Sequence, residues 1–262
     1  MNYLICKLAE RTAIYFRKLF SISLLSANSL NLCFIPFIII FFGITPGLRA
    51  QYEVANKLLL DDVRFTKIMD GSFLGKSMKI SDVQGTLYLN EKFEAGKIIT
   101  MEDSMFQNLD LRYNAFTDDL EFKQGENIFN VAYKTMVKKA EFGGKFFSYR
   151  SFEAEGGNVR DGFFEILTEG KATLLARYKI KFLDKVDSQA FVDAKPAQFE
   201  DVEKQFFIMI EGSAAKLIPN KKGLLRFFGD KSKELETFIS KNGLSVKDDE
   251  SLIKIVTHYN SL

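Results

Sequence analysis

Apolar and polar residues alternate along most of residues 63–219. The clearest case is the run KATLLARYKIKF at residues 171–182, in which the even-numbered positions are apolar and Leu175 alone interrupts the polar set. A period of two is typical of an antiparallel strand with one packed face and one face in water. The preceding run, residues 161–170, ends in Glu169-Gly170, so the two runs together predict a β-hairpin.

Short apolar runs between turn residues predict more strands in the same region. The dipeptides Asp118-Asp119 and Gly143-Gly144 are typical of tight turns. Strands that recur about every 8–12 residues with short connections indicate a meander, a sandwich or a partly closed barrel, and residues 184–202 predict a longer loop. The further strands are expected at residues 84–90, 95–101, 109–116, 119–124, 127–132, 136–142, 145–152, 205–211 and 214–218.

After Pro219 the apolar period changes to that of a helix. Two amphipathic helices of about 12 residues are marginal alone, so we expect their apolar stripes to pack on each other or on the sheet. The helices are predicted at residues 221–228, at residues 231–242 with Asp230 as N-cap and Gly243 as C-terminal stop, and at residues 249–260 with Asp248 or Asp249 as N-cap.

These patterns divide the chain into three parts. Residues 1–50 form a leader, residues 51–219 an antiparallel β-rich body, and residues 220–262 a helical tail packed on that body. The predicted fold class is therefore mainly β (an antiparallel meander, sandwich or partly closed barrel) with a C-terminal α-helical appendage. Residues 51–62 are expected to be a weakly helical or extended entry segment.

The leader has the features of a signal peptide. A basic region precedes the apolar run Leu32–Ile44, whose 13 residues suit a signal sequence and fall short of the roughly 20 that span a bilayer. Ala50 suits the residue before a cleavage site, although Leu48 is larger than usual two positions earlier. We expect cleavage after residue 50 and a periplasmic or secreted protein with no transmembrane segment in the mature chain. The alternative is an uncleaved N-terminal anchor.

Charge and residue counts exclude several classes of protein. The whole chain has a net charge of +2, but the part after residue 50 holds 31 basic and 33 acidic residues, a net charge of −2. This balance argues against a nucleic-acid partner. Both cysteines, Cys6 and Cys33, leave with the leader, which excludes disulfides, thiol catalysis and cysteine-bound metals. His258 is the only histidine, so no multi-histidine metal site exists, and we predict no metal and no cofactor.

The remaining candidates for catalysis are carboxylates. Asp118, Asp119 and Glu121 cluster at a turn, with Asp110 and Arg112 on the strand before it. A carboxylate pair would suit a glycosidase, but hydrogen bonding of turn aspartates to their own backbone is the simpler interpretation. No phosphate-binding loop and no G-x-S-x-G elbow is present. We therefore predict that the protein is not an enzyme.

Two basic stretches are candidate contacts for an anionic surface. Arg177, Lys179 and Lys181 form a ladder on one strand face, and such a ladder meets an anionic envelope surface, a lipid head group or an acidic partner. The simpler interpretation is a solvated sheet face with lysines that protect an edge. The second stretch comprises Lys216, Lys221, Lys222, Arg226, Lys231 and Lys233.

Adjacent phenylalanines are the other notable pattern. Phe146-Phe147, Phe163-Phe164 and Phe206-Phe207 each place one ring on either face of a strand. One face belongs to the main core. The second face is expected to be covered by protein, or else to form a pocket for an apolar ligand.

Several strings resemble those of a family of uncharacterised exported proteins from Bacteroidetes-type bacteria. The strings are GTLYLNEKFEAGKI (85–98), LDLRYNAFTDDLEFK (109–123), GFFEILTEGKATLLARYKIKF (162–182), AKPAQF (194–199) and HYNSL (258–262). The resemblance implies export and an all-β body with a helical end. It implies no catalytic residue.

The sequence favours an exported, non-enzymatic envelope protein that acts as a binding or interaction module, with an unknown envelope protein or an apolar ligand as its partner. A carrier of a lipid-like ligand that uses the second phenylalanine face is the main alternative. A carboxylate-dependent hydrolase is a third possible function. A protein that docks onto an assembly partner through residues 216–233 is a fourth.

Overall fold

The computed structural model describes residues 65–67, 80, 83–188 and 193–262, with the backbone alone at 65–67. The predicted leader, its cleavage site and the entry segment at residues 51–62 lie outside the described residues.

The body is an antiparallel sheet that curls into a half-barrel, which confirms the mainly β fold class. Eleven strands lie in the order β1-β5-β4-β3-β2-β6-β7-β8-β9-β12-β13, and β10 pairs with β11 in a separate ribbon. The strands are β1 (Phe65–Lys67), β2 (Glu94–Thr100), β3 (Met105–Asn114), β4 (Asp119–Gln124), β5 (Asn127–Val131), β6 (Val137–Phe142), β7 (Lys145–Glu153), β8 (Val159–Thr168), β9 (Ala172–Lys179), β10 (Phe182–Leu183), β11 (Gln198–Phe199), β12 (Glu203–Ile210) and β13 (Lys216–Leu217).

The largest apolar core of the described residues draws side chains from strands β2 to β9 of the curled sheet. Its centre is aromatic: the ring of Tyr113 lies 5.2 Å from that of Phe147 and 6.5 Å from that of Tyr178. Phe142 stacks on Phe147 at 5.0 Å. Buried rings contribute the most apolar area per residue, so these contacts link β3, β6, β7 and β9 across the core.

The last strands of the sheet close into a ring of their own. Ala215, just before β13, donates its N–H to the carbonyl of Ser151 and accepts from the N–H of Glu153, both at 2.9 Å, so β13 returns to β7. The ring β7-β8-β9-β12-β13 encloses a second apolar cluster. Its rings meet edge to face: those of Phe164 and Phe207 lie 5.1 Å apart, and each packs on Phe152.

This ring explains why one prediction for residues 171–182 is wrong. The odd-numbered face of β9 was expected to be in water, but Leu175 and Thr173 are buried. Leu175 pairs with Phe207 in β12 and Ile166 in β8, inside the closed ring. Protein therefore covers the second phenylalanine face at Phe164 and Phe207, as expected.

Residues 84–90 do not form the predicted strand. Gln84 and Tyr88 make isolated bridges, to Gln198 and Asn114. Gly85 has a φ of +82°, and a Cβ there would lie 2.7 Å from the carbonyl oxygen of Phe199. The left-handed backbone and this close approach break the extended run.

Three helices follow the sheet and pack on it through one apolar cluster that joins β9, β12 and the helices. Asp248 is the N-cap of the last helix, as predicted, and accepts from the N–H of Ser251 at 2.9 Å. The prediction that Asp230 caps the second helix is wrong, because Asp230 lies inside a 3-10 turn (Gly229–Lys231) that precedes it. The helices are α1 (Lys221–Phe227), α2 (Ser232–Lys241) and α3 (Asp249–Ser261), and two further 3-10 turns are Lys134–Met136 and Glu155–Gly157.

Candidate functional site

Asp118 lies in the β3–β4 turn, and its carboxylate connects that turn to two distant strands. Oδ1 accepts from the hydroxyl of Tyr113 at 2.7 Å and from the backbone N–H of Phe163 at 3.1 Å. Oδ2 accepts from Nη2 of Arg177 at 2.9 Å. Burial, and then the charge of Asp118, raise the pKa of Tyr113 well above its usual value. Asp118 therefore serves as a link between strands, a role that local turn chemistry did not predict.

The other carboxylates of the predicted cluster have separate environments. Asp119 forms an ion pair with Lys134 at 2.5 Å. Asp110 is exposed on β3. The turn is held instead by Asn114, whose Oδ1 accepts from two backbone N–H groups of the turn at 3.1 and 3.2 Å. The residues predicted as a hydrolase cluster thus face different partners.

Glu121 and Arg112 form a buried ion pair between β3 and β4. Glu121 is 1% exposed and accepts from both Nε and Nη2 of Arg112 and, at 3.0 Å, from Nδ2 of Asn114. The guanidinium lies between two rings, 3.5 Å from the centroid of Tyr88 and 4.2 Å from that of Phe93. Burial, followed by the charge of Glu121, raises the pKa of Tyr88 to about 12. The rings and the carboxylate fix the position of the guanidinium.

A second ion pair, between the buried Glu165 and the half-buried Lys145, was missed from the sequence. Glu165 is 6% exposed, and its Oε1 accepts from Nζ of Lys145 at 2.7 Å while its Oε2 accepts from the hydroxyl of Tyr178. Burial, followed by the hydrogen bond to Glu165, raises the pKa of Tyr178. The available signal was an acidic residue inside the apolar run FFEIL at residues 163–167.

The cations of these two pairs line one cavity. It has a volume of about 250 Å³, and Arg112 and Lys145 both contribute to its wall. The rest of the lining is mixed: it comprises Leu89, Tyr113 and Phe142 together with Asn90, Lys92, Glu94 and Gly143. We call it the inner cavity.

A larger opening of about 530 Å³ lies at one end of the closed ring, and we call it the outer cleft. Phe152 and Phe207 are apolar side chains of its lining, and Arg160, Arg177 and Lys179 are its cations. Arg177 is held by Asp118 and lies 4.4 Å from the ring of Phe152. Arg160 and Lys179 form no ion pair with any described residue. The carboxylates of the lining are Glu153, Glu155 and Asp161.

The structure separates the remaining predicted cations from this cleft. Lys181 is exposed and lies 3.9 Å from Glu203. Lys221 is 3.9 Å from Glu236 in α2. Lys222 and Arg226 are exposed on α1. Only Arg177 and Lys179 of the predicted set therefore share a cleft.

His258 packs against a ring in the helical region. Its imidazole stacks on Phe238 with 3.9 Å between ring centroids, which joins α3 to α2. In residues 83–188 and 193–262, no group of three or more His, Cys, Asp or Glu side chains is placed to hold a metal ion. No helix in the described part of the chain is long and apolar enough to cross a membrane.

Comparison of the chain with protein-family models, curated proteins and solved structures finds no match. The interpretation of its function therefore depends on the geometry of the two openings.

Proposed function

We propose that the protein is an exported binding module that holds an acidic segment of a partner protein in the outer cleft. The observation that carries the proposal is that the cleft combines apolar lining residues with two cations that form no ion pair in the described residues. Leu217, which is 42% exposed, supplies apolar surface above the buried rings of Phe152 and Phe207, and Arg160 and Lys179 supply positive charge without an ion-pair partner in the described residues. A volume of about 530 Å³ falls in the usual range for binding sites, roughly 300–1,000 Å³.

The charged groups of the cleft differ in whether they already have partners. Of its three carboxylates, Glu153 is paired with Lys216 at 3.0 Å and Asp161 accepts from the hydroxyl of Ser151 at 2.5 Å. Glu155 is exposed at the β7–β8 turn. Arg160 and Lys179 thus remain without an ion-pair partner, beside the carboxylates of Glu155 and Asp161, and these two cations are the groups that would pair with acidic groups of a ligand. The exposed side chain of Leu217 at the rim adds apolar area for the same partner.

The competing functions have less support. A lipid carrier would use the second phenylalanine face, but Phe164, Phe207 and Phe152 pack edge to face on one another there. A hydrolase would use Asp118, Asp119 or Glu121, and each of these carboxylates has an ion-pair partner. Export is supported by the sequence of the leader alone.

The binding proposal is tested by fluorescence anisotropy with the full chain. The probe is a fluorescein-labelled hexapeptide of alternating Asp and Phe, and the comparison peptide has Asn in place of Asp. We expect the acidic peptide to bind more tightly. Lys179→Gln and Arg160→Gln should each weaken its binding roughly two- to fivefold, because each removes one rim charge.

Lys181→Gln is the matched control, because Lys181 lies two residues beyond Lys179 and outside the cleft. The proposal would be contradicted if Lys179→Gln and Lys181→Gln lost the same affinity for the acidic peptide. It would also be contradicted if the neutral peptide bound as tightly as the acidic one. Export is tested separately: the denatured mass of the protein, expressed in a bacterium with residues 1–50 present, should correspond to a chain that begins at Gln51. An uncleaved mass would support the anchor instead.

A further inference from the structure

The inner cavity is walled by the cations of two separate ion pairs whose carboxylates are buried. The side chains of Arg112 and Glu121 are 10% and 2% exposed, and those of Lys145 and Glu165 are 38% and 8% exposed. A buried ion pair gives little net stability, because desolvation offsets much of the attraction. Two such pairs with both cations at one cavity therefore call for an explanation other than stability.

Both cations keep donors for a ligand. A guanidinium has five N–H groups. Arg112 directs two of them to Glu121 and one, from Nη1, to the carbonyl of Glu91 at 2.9 Å. Lys145 directs one of its three to Glu165 and one to the hydroxyl of Tyr178 at 3.5 Å. Arg112 also forms a hydrogen bond with the side chain of Tyr88, so one of its N–H groups and one of Lys145 remain. The rings of Tyr88 and Phe93 hold the guanidinium in place, so a ligand meets a preorganised donor.

Lys92 adds a third cationic side chain to the wall. Besides Arg112 and Lys145, the cavity is lined by Lys92 and one carboxylate, Glu94. Lys92 is exposed and forms no ion pair within the described part of the chain. Glu94 lies against the β6–β7 turn, where a Cβ on Gly143 would be 2.2 Å from Oε2. Arg112 and Lys145 are paired with Glu121 and Glu165, which do not line the cavity, so Lys92 is the cation of the wall without an ion-pair partner in the described residues.

The size and the walls define the body of the ligand. A volume of about 250 Å³ lies below the roughly 300–1,000 Å³ of sites for drug-sized molecules. Leu89, Tyr113 and Phe142 supply apolar wall. A short carboxylate with a flat apolar body fits both features.

We infer that the inner cavity binds a small organic carboxylate whose anionic group meets Arg112 and Lys145 and whose apolar body lies on Tyr113 and Phe142. The inference is independent of the outer cleft, because the two openings share no lining residue.

Isothermal titration calorimetry of the full chain with benzoate tests this inference. Benzamide has the same ring without the charge, and acetate has the same charge without the ring. We expect benzoate to bind in the millimolar range or more tightly, and both comparison compounds to bind about tenfold more weakly or worse. No detectable binding of benzoate, or equal binding of acetate or benzamide, would overturn the inference.

Two substitutions in the lining of the inner cavity should change the affinity for benzoate in opposite directions. Lys92→Gln should weaken benzoate binding and Glu94→Gln should strengthen it, each roughly two- to fivefold, because one removes attraction and the other repulsion. A shift in the same direction for both variants would overturn the inference. Lys179→Gln, in the outer cleft, is the matched control and should leave benzoate binding unchanged.

A double variant, Lys145→Gln with Glu165→Gln, removes an ion pair without leaving a lone charge. It should weaken benzoate binding about tenfold or more while far-UV circular dichroism shows an intact fold. Leu89→Phe, which fills the cavity and keeps every charge, should also weaken binding. Unchanged affinity in both folded variants would place the benzoate elsewhere and overturn the inference.

Discussion

The side-chain amide of Asn260, in the last turn of α3, exchanges two hydrogen bonds with the backbone of Ala172 at the start of β9. The N–H of Ala172 donates to Oδ1 and Nδ2 donates to the carbonyl of Ala172, both at 2.8 Å. Gly170 permits this approach, since a Cβ there would lie 2.3 Å from Nδ2 of Asn260. The amide of Asn260 thus makes the two hydrogen bonds that a neighbouring strand would make with Ala172. These bonds connect the helical tail to the sheet.

Asn260→Ala should lower the free energy of unfolding by about 2 kcal/mol, because it leaves a backbone N–H and a carbonyl without partners. Urea unfolding followed by circular dichroism measures the change. The control is Asn242→Ala, which removes a single hydrogen bond to the carbonyl of Phe238 at 2.8 Å in exposed surroundings. If Asn242→Ala lowered the free energy of unfolding as much as Asn260→Ala, the two hydrogen bonds to Ala172 would contribute no more than one exposed hydrogen bond.

Asp118→Ala should destabilise the protein by about 3 kcal/mol, because it leaves Arg177 and Tyr113 without their acceptor. Asp119→Ala, which removes one ion pair to Lys134, should cost about 1 kcal/mol or less. Amide hydrogen exchange gives a local readout: the N–H of Phe163 loses its acceptor in Asp118→Ala and should exchange faster. Unchanged exchange at Phe163 would mean that Asp118 does not link the turn to β8.

The raised pKa of Tyr88 predicts a loss of stability at high pH. Burial raises the pKa of Tyr88 in the folded state to about 12, against 10.0 for an unperturbed tyrosine hydroxyl. Between these values the unfolded chain has released the proton while the folded chain retains it, so stability falls as pH rises through this window. Absorbance at 295 nm of the wild type minus that of Tyr88→Phe should give a titration curve centred near pH 12. A difference curve centred near pH 10 would contradict the buried environment of Tyr88.

The N-cap of α3 predicts that the contribution of Asp248 to folding stability depends on pH. The hydrogen bond from Ser251 lowers the pKa of Asp248, so its contribution is present at neutral pH and is lost as pH falls through the folded-state pKa. Asp248→Ala should therefore reduce stability at pH 7 and not in acid, where the carboxyl is protonated in both states. Asp230→Ala is the control, because Asp230 caps no helix, and it should have no measurable effect. Urea unfolding at both pH values distinguishes the two variants.

Local pattern predicted most of the strands. The predicted strand at residues 119–124 has the bounds of β4, and the hairpin of β8 and β9 was expected from its alternation and turn. Such features depend on side chains next to each other in sequence, so a single chain is enough to reveal them.

Features that depend on distant residues escaped prediction. Leu175 was placed on a wet face because nothing local indicates that β13 returns to β7. Asp118 was interpreted as a turn residue, whereas its partners lie 45 and 59 residues further along the chain. Arg177 and Lys179 were correctly placed on one strand face, but the apolar side chains that share their cleft come from β7 and β12.

The return of Ala215 to β7 has a consequence for association between molecules. An open strand edge offers unpaired N–H and carbonyl groups to any other extended chain. At Ala215 both groups are already bonded within the same molecule. A substitution that breaks the hydrogen bonds between Ala215 and β7 would expose an unpaired strand edge next to Phe152. Its first visible effect would be aggregation of a protein that is still largely folded.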